Sequence, residues 1–146
     1  VMSFPPMRHQ LQFERVVKGQ PITTLDIPLP GLVFMRVGTM HYIWALKDKF
    51  APDAVLHHAP LPNVNDNGAI CFGGNSLDGK SAMQSWLLFL NSPFSSHQAN
   101  DKSVQHPKDV RRVLVPLEGK KCYPLDDLLP MRTTVEQVVT QLVREK

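Results

Sequence analysis

Asn63 and Cys71 are the residues of this chain whose types and spacing point most directly to chemistry: an amide lies eight positions ahead of a thiol, across the polar turn Val64-Asn65-Asp66-Asn67-Gly68. A cysteine thiolate attacks carbonyl carbon at moderate pH, and the resulting thioester stays reactive toward amines and thiols. An amide held near the reacting carbonyl is a donor for the oxyanion that forms as such an ester is made or broken. Cysteine between Ile70 and Phe72 would also pack as a small core hydrophobe, and an isolated asparagine is commonly a turn residue. Their spacing joins them into one candidate site.

The residues around this pair carry a resemblance. Pro62-Asn63, then Gly68-Ala69-Ile70-Cys71 after the turn, resemble the active-site element of ubiquitin-conjugating enzymes, in which His-Pro-Asn precedes Gly-x-Ile-Cys at this spacing. Leu61 stands where that family has histidine. His58-Ala59-Pro60, Cys71-Phe72-Gly73 and Asn91-Ser92-Pro93-Phe94-Ser95-Ser96-His97 extend the likeness to the bacterial branch called prokaryotic conjugating-enzyme family D, also known as PRTRC system protein B. The resemblance runs from Leu32 to Val139 and is sharp from Ala59 to Gly73.

That resemblance implies a bacterial enzyme that accepts a ubiquitin-like modifier as a thioester on Cys71 and passes it to an acceptor nucleophile. Asn63 takes the oxyanion role by match to the family's motif, while Gly68, Gly73 and His97 flank the site. The partners implied are the modifier, a ThiF-like activating enzyme that uses ATP, and a metal-dependent isopeptidase of the same system. The domain itself is expected to need no cofactor. Two other readings stay open: an inactive scaffold on the same fold, and a small cysteine hydrolase pairing Cys71 with His57, His58 or His97. No close second cysteine and no His-x-x-x-His pair marks a metal site.

The elements that must position these residues are legible in part. Leu32–Val37 and Met40–Leu46 are apolar β-rich runs joined by Gly38-Thr39, the signal of a type II′ hairpin. Leu11 to Val17 reads as an earlier strand ending at Gly19, after an extended lead-in over residues 1–10. Lys47 to Ile70, with Pro52, Pro60 and Pro62, reads as a long irregular crossing, and loops of that length are commonly functional. Ser81-x-x-Gln84 and Thr133-x-x-Glu136 are capping boxes. They open helices with apolar faces at Ala82, Met83, Trp86, Leu87, Leu90 and at Val135, Val138, Val139, Leu142, Val143. Asp109–Leu117 fits a short helix or a strand. Trp44 reads as a sheet-face core residue, and Cys122, beside Lys120-Lys121, as structural.

The expected fold is therefore α+β, an antiparallel meander packed against helices, with the N-terminal helix usual in conjugating enzymes not evident. Its 146 residues, 42% hydrophobic and 20% charged, suit one domain, and the initial Val1 suggests excision from a longer chain. A formal charge of +3, from 16 basic against 13 acidic residues, is spread too thinly for a nucleic-acid footprint. No apolar run reaches the roughly 18 residues that would span a bilayer. Two cysteines without a secretory leader point to a reduced, cytoplasmic protein.

Overall fold

The computed structural model describes residues 1–145. Seven strands appear among them: β1 (Met2–Phe4), β2 (Met7–Val17), β3 (Gln20–Leu29), β4 (Gly31–Val37), β5 (Met40–Leu46), β6 (Val55–His58) and β7 (Pro130–Thr134). Three α-helices accompany them: α1 (Ala82–Asn91), α2 (Arg111–Leu114) and α3 (Val135–Arg144). All neighbouring strands run antiparallel, in a five-stranded sheet ordered β1-β4-β5-β6-β7 and a separate β2-β3 hairpin. The chain is thus an α+β protein, as expected.

The β4-β5 hairpin closes where the sequence places it, with Val37 opposite Met40. Gly38 has φ 62° whereas Thr39 keeps a negative φ, the pattern that a glycine-first II′ turn requires. Both faces of this hairpin are buried, which explains why its strands read as continuous apolar runs rather than as alternation. Leu32, Phe34, Ile43 and Ala45 face one core with α1 and the β2-β3 hairpin, while Val33, Met35, Tyr42, Trp44 and Leu46 face a second core with α3. Trp44 is 1% exposed and stacks on Tyr42 at 5.6 Å.

Several expectations need correction. The lead-in is extended as expected, but it is already part of the sheets: β1 pairs with β4, and β2 begins at Met7 rather than Leu11. Pairing with β5 and β7 makes a strand of Val55–His58, inside the segment expected to be irregular, despite the flanking prolines. Ser81 caps α1 as expected, with both reciprocal bonds of the capping box. The face that α1 buries, however, is Ser85, Trp86, Phe89 and Leu90, and Met83 and Leu87 lie exposed. The α3 box is one residue later than expected, Thr134 with Gln137, because β7 continues through Thr134, which pairs with Val55. Val143 lies exposed beyond the buried stripe. Asp109–Leu117 resolves as helical, α2 followed by one 3-10 turn. No helix among the described residues is long and apolar enough to cross a membrane.

Candidate active site

The eight-residue interval between Asn63 and Cys71 folds back as a small hairpin. Its tip is fixed by Gly68 N–H donating to the Asn65 carbonyl at 2.9 Å and Asn65 N–H donating to the Ala69 carbonyl at 2.8 Å. Val64 and Ile70 pair across it, and at the open end Cys71 N–H donates to the Asn63 carbonyl at 2.8 Å. The hairpin leans on β5: Ile43 N–H donates to the Gly68 carbonyl at 2.9 Å, and Ile70 N–H to that of His41 at 2.8 Å. A rigid strand thereby carries the loop that presents the thiol.

Gly68 belongs to this support and does not line the site. Its φ is 92°, and a Cβ there would lie 2.2 Å from Nε1 of Trp44, a separation no side chain tolerates. The Trp44 indole N–H meanwhile donates to the Asn67 carbonyl at 3.2 Å. Glycine at this position lets the turn sit directly on the tryptophan. Leu61, at the place of the motif histidine, is fully buried in the first core. Apolar packing therefore braces the loop where the family pattern has an imidazole.

Cys71 is free and half-buried. It opens into a cleft of about 460 Å³ that Asn63, Gly73, Gly74, Asn91, Ser95 and His97 help to line. Phe72 anchors the cysteine from beneath, its ring 5.2 Å from that of His41 and 6.2 Å from that of Phe89 on α1. The opposite wall follows α1. There Phe94 joins β2, its N–H donating to the Gln12 carbonyl at 2.8 Å while its own carbonyl accepts from Glu14 N–H at 2.9 Å. The β2-β3 hairpin thus fixes the Asn91–His97 segment beside the thiol.

Asn63 has φ 64°, left-handed backbone that asparagine tolerates better than most residues. Its N–H donates to the His97 carbonyl at 2.9 Å and its carbonyl accepts from Cys71, so both backbone groups are committed. The backbone pairing leaves the carboxamide unused, and Asn63 is one of the residues that line the cleft. Below it, Lys102 is 3% exposed and its Nζ donates to the carbonyls of Val64, Gln98 and Asn100 at 2.8, 2.5 and 3.4 Å. Burial holds its pKa below the usual lysine range, an effect that Asp66 and Asp101 oppose. Sequence reasoning missed Lys102, since one lysine in a polar loop gives no sign of burial.

Of the sequence-predicted residues, the structure brings Cys71, Asn63, Gly73 and His97 to one cleft. His57 lines a different depression, with Lys47 and Val55, and His58 is not part of the cleft wall. Burial lowers the pKa of both. Asn91 and Ser95 complete the cleft; the only signal for them was their place in the Asn91–His97 run. Cys122 is free and exposed. Among the described residues, no group of three or more His, Cys, Asp or Glu side chains is arranged to hold a metal ion.

An antiparallel sheet with helices, and a cysteine loop braced on its central strand β5, is the arrangement of an E2-like protein. The chain belongs to prokaryotic E2 family D, whose model matches residues 1–131. That match takes in the β1, β2 and β3 strands, which lie upstream of the region where the motifs carry the resemblance. No curated protein and no solved structure matches the chain.

Proposed function

We propose that this protein is a ubiquitin-like protein conjugating enzyme that carries the modifier on Cys71. The Cys71 thiolate attacks the modifier's C-terminal carbonyl, held as a thioester on an activating enzyme; a new C–S bond forms and the activating enzyme's thiol leaves. An acceptor amine then attacks the same carbonyl, the C–N bond forms, the bond from the carbonyl carbon to Cys71 Sγ breaks so that Cys71 leaves as its thiolate, and the amine's surplus proton passes to solvent or to a cleft base. The Asn63 carboxamide donates to the oxyanion in that second step.

The observation that carries this reading is the open hairpin that holds a half-buried, free thiol and an uncommitted carboxamide at one cleft mouth, in a chain of an E2 family. A tetrahedral intermediate stabilised there gains from a donor fixed before the reaction begins. Gly73 and Gly74, both exposed with open space where a Cβ would be, suit an extended tail laid across the site. The partners that follow are a modifier, a ThiF-like ATP-dependent activating enzyme and a metal-dependent isopeptidase, in a cytoplasmic PRTRC-type system.

Incubation with a cognate activating enzyme, ATP and modifier should give an adduct that thiol reductant removes. Cys71→Ser should abolish it or convert it to a reductant-resistant ester, and Cys122→Ser should charge like the parent. A reductant-sensitive adduct on Cys71→Ala would move the nucleophile elsewhere. His97 shares the cleft with Cys71, which favours a Cys/His hydrolase as the second reading. Turnover of an activated ester by the protein alone, lost in both Cys71→Ala and His97→Ala, would select it.

A further inference from the structure

Lysine is among the residues least often fully buried, and an ammonium removed from water costs several kcal/mol unless its donors are satisfied. Lys102 meets that condition with three backbone carbonyls. They do not belong to one loop. Val64 follows Asn63 on the cysteine hairpin, whereas Gln98 and Asn100 follow His97 on the opposite wall. One buried Nζ therefore spans the seam between the two walls.

Two further bonds cross the same seam. Asn63 N–H donates to the His97 carbonyl at 2.9 Å, and the Gln98 amide donates to Oδ1 of Asn65. Both are weaker restraints than a charge-assisted cluster, since bonds from an ionised donor are roughly twice as strong as neutral ones. Among the described residues no other charged side chain bonds across this seam, and the group it holds most directly is the turn of Asn63.

We propose that Lys102 is a positioning residue, which pins the Asn63 turn to the His97 wall and so sets where the Asn63 carboxamide points in the cleft. The mechanical tie stands on the three bonds alone. Its effect on transfer rests on the role proposed above for Asn63.

The test has two arms. In Lys102→Met, amide hydrogen exchange at Asn63 should quicken about tenfold more than at the β4-β5 ladder, because the seam opens locally. Lys102→Gln, which keeps two donors, should fall between parent and Met and replaces the Met variant if that fails to fold. Equal acceleration at Asn63 and at the ladder, or none at Asn63, would overturn the tie.

The second arm measures discharge of the Cys71 thioester to an amine. Lys102→Met should slow it in the parent and add nothing in an Asn63→Gly background, as for two residues acting through one group. An equal slowing in both backgrounds would overturn the action through Asn63. If no thioester forms at all, the proposed function fails, while the exchange arm still decides the tie.

Discussion

Cys71 N–H donates to the Asn63 carbonyl at 2.8 Å, which makes the candidate nucleophile and its amide partner the facing ends of one hairpin. Their eight-residue separation in sequence is thereby converted into adjacency. The bond uses backbone alone, so each side chain is left to the cleft. It also means that either side chain can be removed without undoing the pairing that places the other.

Asn63→Gly separates chemistry from fold. At φ 64° glycine is at ease where other residues are strained, so the variant should unfold at a denaturant midpoint no lower than the parent's. It should still charge, and should discharge to amines up to about 10²-fold more slowly if the carboxamide serves the oxyanion. Single-turnover discharge after removal of ATP measures this. An unchanged rate would leave Asn63 with a turn role alone.

The glycines on either side of Cys71 should respond in opposite ways. Gly68→Ala forces a Cβ to 2.2 Å from the Trp44 ring at φ 92°, a core overpacking worth about 1–3 kcal/mol or more. Urea denaturation should show that loss. Gly74→Ala meets nothing within 4 Å and needs no left-handed backbone, so stability should stay within about 0.5 kcal/mol. If a modifier tail crosses this point, Gly74→Ala should nevertheless slow charging; normal charging would place the tail elsewhere.

Leu61 tests how far this chain has departed from the histidine of the motif. Fully enclosed in the first core, it should cost about 2–5 kcal/mol when cut to alanine. Leu61→His restores the motif residue but puts an imidazole among apolar side chains, where an unpaired polar group is penalised. That variant should be less stable than the parent, as thermal melts would reveal. Equal stability would mean that the pocket still accommodates an imidazole.

How much of this was legible beforehand follows from which interactions are local. The II′ turn at Gly38-Thr39 and the capping box at Ser81-Gln84 are set within four residues, and both form as expected. Spacing likewise revealed the Asn63–Cys71 pair, because a hairpin is a local structure. What escaped notice depends on distant partners. Val55–His58 becomes a strand only because β5 and β7 flank it, and Met83 is exposed only because the sheet lies on the other side of α1. Gly68 was legible as a residue of the site but not as the seat of Trp44, and Lys102 was hidden because its acceptors are carbonyls on two loops.

Four buried or half-buried histidines give the last prediction, a pH dependence of stability. His9, His41, His57 and His58 all have pKa values held below 6.5, chiefly by burial. Well above 6.5 each is neutral whether folded or unfolded, so none alters the slope there. As pH falls below 6.5 the unfolded chain takes up protons that the folded protein refuses, and stability drops until the depressed folded values are passed. His41 is the instructive case, 3% exposed between the rings of Phe34 and Phe72, with Arg36 adding to the effect of burial. His41→Leu removes one titrating group from beneath the Cys71 loop. Denaturation midpoints between pH 7 and pH 4 should therefore decline less steeply in this variant than in the parent, whereas an identical slope would show that His41 takes up its proton without cost in the folded state.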